Sequence, residues 1–253
     1  MIKAIDISKS FGDNHVLKDI SITFEKGKTN LIIGQSGSGK TVLMKCLVGL
    51  FDVDEGKVEY DGRNISDMTF KQKKDIRKEL GMLFQGSALF DSMTVEQNVM
   101  FPLNMFSNMS AKEKLSRVNS CLERVDLHKV NKLLPSELSG GMKKRVAIAR
   151  AISMNPEYLF CDEPNSGLDP LTSGLIDELI DELTKEYQMT TIVNTHDMNS
   201  VLNIGDSIAF IYKGELGWRG SKEEILHTDN QPLNDFVFGT ELTKRLKKTD
   251  EHS

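Results

Sequence analysis

The chain has 253 residues, 39% hydrophobic and 27% charged, enough for one large α/β unit or for a core domain with an inserted lobe. Its 32 Lys plus Arg against 37 Asp plus Glu leave a formal charge of -5, so no global basic field points to nucleic acid as the main partner. Cys46, Cys121 and Cys161 stand singly without metal-ligand spacing and read as reduced core thiols, and no apolar run approaches the ~20 residues that span a bilayer.

The opening Met1-Ile2-Lys3-Ala4-Ile5-Asp6-Ile7 alternates like a strand and unlike a signal peptide, which predicts a soluble, cytosolic chain. Alternation returns over Ile20 to Phe24 and Lys57 to Tyr60, where Asp61-Gly62 supplies a turn, so an N-terminal antiparallel sheet is expected. Leu31-Ile32-Ile33 reads as a buried strand and Val42 to Val48 as a helix. Between them, Gly34-Gln35-Ser36-Gly37-Ser38-Gly39-Lys40-Thr41 is a glycine-rich, lysine-tipped turn at a helix N-terminus, the pattern of a phosphate-binding loop. In that pattern the glycines let backbone N–H groups curl around an anion. Lys40 reaches the β- and γ-phosphates as a point charge, and the Thr41 hydroxyl ligands the Mg²⁺ that travels with the nucleotide.

From about Gly86 to Asn155 the apolar positions recur every three or four residues, which predicts an inserted helical lobe. Early in it, Phe90, Met93, Met100, Phe101, Met105, Phe106 and Met109 form a soft apolar set. Most fit the lobe's own core, which leaves Phe90, Met105, Phe106 and Met109 as docking contacts for a membrane-protein partner. Later, Leu138-Ser139-Gly140-Gly141-Met142 opens a helix carrying Lys143, Lys144, Arg145 and Arg150. Ser139 and the amides of Gly140 and Gly141 form a second anion cradle, yet the lobe holds no second lysine loop or carboxylate pair to complete it. One economical answer is that this cradle closes on the nucleotide of a second copy of the chain; the plainer one is a capped, solvated basic helix.

Strand-helix alternation then resumes with Tyr158 to Cys161, a helix from Leu171 to Tyr187, Thr191 to Asn194, a short helix, and Ser207 to Tyr212, strands expected to join Leu31 to Ile33. Tyr158-Leu159-Phe160-Cys161-Asp162-Glu163-Pro164 is an apolar strand ending in two carboxylates, where parallel sheets bind ligands. Asp162 fits the Mg²⁺ shell and Glu163 could polarise a water for in-line attack on the γ-phosphate, although such a pair also serves to cap a following helix. His196, closing the strand Thr190 to Thr195, can donate to the γ-phosphate or the attacking water, or simply start the next helix. After Gly220 the chain is polar, carries Phe236 and Phe238, and ends in the mixed-charge run Lys244 to Glu251; the Lys244 to Lys248 cluster reads as a solvated tail or a contact for anionic lipid.

These four features in this order resemble the ATP-binding subunit of ATP-binding-cassette (ABC) transporters over nearly the whole chain. The resemblance implies an α/β nucleotide-binding domain with a RecA-like mixed core sheet, an N-terminal antiparallel β-subdomain and an inserted α-helical subdomain. It places a single ATPase domain over 1–225, the helical subdomain at about 86–155, and a C-terminal extension over 226–253. It also implies ATP and Mg²⁺ as ligands, with Phe11 stacking on adenine and Val16 near the same face. Nucleotide-binding residues then comprise Phe11, Val16, Gly34, Ser36 to Thr41, Ser139 to Gly141 and Asp169, with Glu163, His196 and Gln85 catalytic and Thr41, Gln85 and Asp162 around the metal. Gln85 resembles the family's Q-loop glutamine, linking the metal site to the helical lobe, and Ser166-Gly167-Leu168-Asp169 resembles the D-loop that crosses the dimer interface. Asn165 and Gly167 depart from the commoner residues of that stretch, while Asp169 is kept.

Met142, where the commonest signature has Gln, together with Gly81 to Phe90 and Asn98 to Leu103, is similar to the ATPase of Mla/Mce-type phospholipid transporters. That branch implies a homodimer, peripheral on the cytoplasmic face of the inner membrane, driving a multi-pass permease with an Mce-domain partner. Amino-acid import, lipoprotein release and a soluble assembly ATPase such as an iron-sulfur scaffold ATPase are the rival readings.

Overall fold

The computed structural model describes residues 1–239. In chain order these form β1 (Ile2–Phe11), β2 (Asn14–Phe24), β3 (Thr29–Ile33), α1 (Lys40–Leu47), β4 (Glu55–Tyr60), β5 (Arg63–Asn64), α2 (Phe70–Lys78), β6 (Leu80–Leu83), α3 (Val95–Phe106), α4 (Ala111–Arg124), α5 (Gly140–Ile152), β7 (Tyr158–Asp162), α6 (Pro170–Tyr187), β8 (Thr190–Thr195), α7 (Met198–Ile204), β9 (Ser207–Tyr212), β10 (Glu215–Gly220) and α8 (Gln231–Val237). The helix starts are written locally. Thr69 with Gln72, Thr94 with Gln97 and Ser110 with Glu113 form reciprocal capping boxes at α2, α3 and α4. Asp169 followed by Pro170 opens α6.

The chain divides into two compact units. The first comprises Met1–Glu25, Thr29–Asp67 and residues 194–239. In it, an antiparallel sheet runs in the order β2-β1-β4-β5, with Ile2 opposite both Phe24 and Tyr60, and Ala4 opposite both Ile22 and Val58. All six of these side chains are buried, so the period of two holds on that face. It does not run through to Ile7 as plain alternation predicts. Asp6 adopts a left-handed φ of 51°, the register shifts there, and Ile7 instead of Asp6 enters the core opposite Ile20. The same unit pairs β3 parallel to β9, with Leu31 opposite Ile208 and Ile33 opposite Phe210, and β9 antiparallel to β10. All five residues of β3 are buried, as expected of a strand covered on both faces. The phosphate loop leaves the carboxyl end of this strand and α1 follows, burying Leu43, Met44, Cys46 and Leu47.

The second unit comprises Lys26–Lys28 and Met68–Val193. Here β6 pairs parallel to β7, Leu80 opposite Tyr158 and Leu83 opposite Cys161. The sequence reading does not assign β6 as a strand, because four residues containing Gly81 give too short a pattern. Of the strands expected beside Leu31 to Ile33, β9 pairs directly with β3. Helices α3, α4 and α5 pack on one another through Val95, Val99 and Leu103, through Val118, Cys121 and Leu122, and through Val146 to Ile152. All three cysteines are buried free thiols; burial pushes Cys46 and Cys121 up to about 11, and Cys161 higher still. Among the described residues no helix is long and apolar enough to cross a membrane. The Lys244 to Lys248 cluster lies outside the described residues.

Candidate functional site

In the first unit, the loop between β3 and α1 is shaped around a ligand. Gly34 has φ of 149°, and a Cβ there would meet the Ile211 carbonyl at 2.3 Å and Ser38 Oγ at 2.8 Å, so only glycine fits. Lys40 is 7% exposed and donates from Nζ to the carbonyls of Gly34 at 2.8 Å and Gln35 at 3.0 Å. The ammonium is thereby folded over the loop it serves. Ser38 Oγ is buried without a hydrogen-bond partner, a costly state that a phosphoryl oxygen arriving in the loop would relieve. Ser36, Gly37 and Thr41 are exposed on the same turn and Gly39 is buried. The Val16 carbonyl lies 3.1 Å from where a Cβ on Gly39 would stand, which puts Val16 against the loop. Phe11 is 46% exposed, with its ring braced edge-on by Phe51 at 5.4 Å, and can offer a face to an aromatic ligand. His196 is exposed at the end of β8. The helix-start role falls instead to Asp197, whose carboxylate accepts from Asn199 N–H.

In the second unit, β7 delivers Asp162 and then Glu163, and Gln85 follows β6. The Gln85 amide donates from Nε2 to Glu163 Oε2 at 3.1 Å, bringing together two of the expected catalytic residues. Glu163 itself sits at a left-handed φ of 47°. The capping alternative for the carboxylate pair is not what the fold uses, since α6 is capped by Asp169, which accepts from Thr172 N–H at 3.0 Å. Hydrogen bonds from Thr172 hold the Asp169 carboxyl below its ordinary range.

Ser139 caps α5 by accepting from Met142 N–H at 3.2 Å. A Cβ on Gly141 would stand 2.8 Å from Thr172 Cγ2, and one on Gly140 3.3 Å from Leu168 Cδ2. The two glycines therefore let α5 approach the turn that carries Asp169, a packing reason that the sequence pattern alone does not give. The basic helix is not simply solvated: Lys144 and Arg150 are buried. Lys144 Nζ lies 3.5 Å from the Glu163 carbonyl, and burial lowers its pKa. Asn165, the departure noted beside the D-loop, donates to Oδ1 of the buried Asp177 at 2.7 Å.

Thr41, Gln85 and Asp162, the expected Mg²⁺ ligands, each carry a side-chain oxygen, the donor type that a hard ion prefers. Also within this unit, a groove of about 400 Å³ is lined by Phe84, Ala88, Phe90, Phe101, Phe106 and Arg150. Phe90 and Phe101 meet in a tilted pair with ring centroids 4.7 Å apart, while Met105 and Met109 are exposed.

Comparison with known proteins agrees with this geometry. The family model described as ABC transporter matches residues 17–166. The methionine import ATP-binding protein MetN of Clostridioides difficile is 40% identical over 237 residues, 94% of this chain and 74% of the relative. The intermembrane phospholipid transport system ATP-binding protein MlaF of Escherichia coli is 37% identical over 234 residues, 92% of this chain and 87% of the relative. A probable ribonucleotide transport ATP-binding protein, mkl of Mycobacterium tuberculosis, is 33% identical over 95% of this chain and 67% of its own length. Among solved structures, the bacterial ABC transporter cassette MJ0796 in dimeric form superposes with a TM-score of 0.80 at 31% identity, covering 88% of this chain and 99% of the cassette. A post-hydrolysis state of the same cassette, bound to ADP and Pi, superposes equally well. With its phosphate loop, its glutamine-glutamate pair and its glycine cradle on a shared fold, the chain belongs to the ABC transporter family of ATP-binding ATPase cassettes.

Proposed function

We propose that this chain powers a transporter that moves phospholipid between membranes, hydrolysing ATP as a homodimer on the cytoplasmic face of the inner membrane. The observation that supports the hydrolytic part is the Gln85 to Glu163 hydrogen bond at 3.1 Å, which restrains the carboxylate assigned to polarising water. Lys40 holds the β- and γ-phosphates, exchanging its contacts with the Gly34 and Gln35 carbonyls for phosphoryl oxygens. Ser38 supplies a hydroxyl, Phe11 stacks on the base beside Val16, and His196 donates to the γ-phosphate. Thr41, Asp162 and Gln85 would hold Mg²⁺, which when bound would neutralise phosphate charge. Ser139, Gly140 and Gly141 act on the nucleotide of the second copy, and Asp169 lies at the interface between copies. Binding and hydrolysis then shift the population between closed and open dimers.

The substrate assignment rests on Met142 and on the stretch after Gln85. Methionine import is the second reading, favoured by the higher identity of 40%. The apolar groove beside Phe90 and Phe106 suits a helix of a multi-pass permease, and an Mce-domain protein is the expected further subunit. Affinity purification of this chain from gently solubilised native membranes, with lipid extraction of the same sample, tests the proposal. A permease, an Mce-domain protein and phospholipid should co-purify. A permease with a soluble amino-acid-binding protein and no Mce subunit would transfer the chain to the import reading.

A further inference from the structure

Three consecutive residues after Gln85 lie in the left-handed region: Gly86 at φ 73°, Ser87 at 69° and Ala88 at 43°. Two of them carry a Cβ, and each such residue costs on the order of 1 kcal/mol unless its surroundings impose the conformation. Within the turn, Ser87 N–H donates to the Phe84 carbonyl at 3.0 Å. The rest of the restraint comes from α5, where Arg150 donates from Nη2 to the Ser87 carbonyl at 2.9 Å and from Nη1 to the Ala88 carbonyl at 2.8 Å. In an extended strand successive carbonyls point to opposite sides; here the left-handed run turns both toward one planar guanidinium, a geometry a lysine cannot match.

Arg150 is 8% exposed, and among the described residues no carboxylate pairs with it. A buried cation without a counter-ion adds little to stability against an apolar side chain of similar volume, so its two carbonyl contacts are what the position supplies. It rises from a stretch of α5 in which every residue from Val146 to Ile152 is buried, a rigid platform for the fork. We propose that Arg150 is a positioning residue for Gln85: by holding the turn 86–88 it sets where the Gln85 amide meets Glu163. Ala88 and Arg150 both line the apolar groove, so the same contacts stand between whatever occupies the groove and Gln85. This inference rests on the roles given to Gln85 and Glu163 above.

The test is a double-mutant cycle read by steady-state ATP hydrolysis of the whole chain. Arg150→Lys keeps the charge and removes the fork. It should lower kcat by roughly ten-fold and leave KM for ATP within about two-fold, because a small displacement penalises the reacting geometry more than the phosphate contacts. In a Gln85→Ala background the same substitution should change kcat by less than about two-fold, since the group it positions is gone. Equal factors in both backgrounds, or an unchanged kcat in Arg150→Lys, would overturn the proposal while leaving Gln85 its role. An unchanged kcat in Gln85→Ala alone would remove that role and the proposal with it. If Arg150→Lys does not fold, Gly86→Ala takes its place in the cycle, because a Cβ there meets nothing within 4 Å and perturbs only the backbone at φ 73°. The same pattern of non-additivity is expected, and additivity refutes the inference.

Discussion

Asn98 gives the sharpest test of how the Q-loop region is built. Its side chain is 0% exposed on α3, and its Oδ1 accepts from Phe90 N–H at 2.8 Å. Its Nδ2 faces the carbonyls of Phe90 at 3.1 Å, Met93 at 3.0 Å and Thr94 at 3.1 Å. An amide has two hydrogens, so these three acceptors share two donors, and one side chain pins the whole loop between Phe90 and Thr94. Asn98→Ala removes these bonds at about 1 kcal/mol each net and leaves the Phe90 N–H without its partner, for a total of roughly 3 kcal/mol. Asn98→Asp is the more discriminating change, because it keeps the acceptor but turns a second oxygen toward three carbonyls. The folded state must then hold a proton there, so the carboxyl is raised above its unfolded value of about 3.9. With more protons bound in the folded than in the unfolded state, stability falls as pH rises above that value. Urea unfolding followed by far-ultraviolet circular dichroism should therefore find the Asp variant close to the parent near pH 4.5 and far below it near pH 7.5. A gap to the parent that does not widen with pH would refute the pinning role, as would an Ala variant within about 0.5 kcal/mol of the parent.

The remaining expectations concern turnover, the dimer and the thiols. Glu163→Gln should keep ATP affinity within a few-fold, lose at least roughly 100-fold in turnover, and accumulate as a dimer on size exclusion with ATP; turnover like the parent's would remove Glu163 from its role. Ser139→Arg should abolish hydrolysis while a single chain still binds ATP in a fluorescence titration, and full activity would sink the shared cradle. Cys46 and Cys121 have folded pKa values of about 11 against 9.0 unfolded, so their contribution to stability is complete below pH 9 and is lost as pH rises toward 11. Denaturation midpoints should fall over that window, and a Cys46→Ala, Cys121→Ala variant should flatten the fall.

Much of the chemistry is legible in the sequence because it is local. A strand, a glycine-rich turn and a helix occupy Leu31 to Val48 without interruption, and the capping of α5 by Ser139 and of α6 by Asp169 depends on residues three positions away. What escapes the reading is non-local. Arg150 sits in a basic, alanine-rich helix that looks solvated until its guanidinium is traced to Ser87 and Ala88, more than sixty residues earlier. Asn98 gives no periodic signal, since an amide on an apolar face is indistinguishable in one sequence from a solvated one. The bulge at Asp6 reverses a correct strand pattern by one residue, and β6 is too short to register. Asn165 reads as a departure from its family and proves to be the partner of a buried aspartate.

Glu163 stands at φ 47°, where a β-carbon is a burden and glycine or asparagine would be at ease. With the role proposed for Glu163, backbone preference and chemistry pull this position in opposite directions. Variants selected only for heat resistance should drift away from the carboxylate, gaining conformational comfort as they surrender turnover. For anyone redesigning this cassette, relief of the backbone at position 163 is to be weighed against the carboxylate chemistry proposed there.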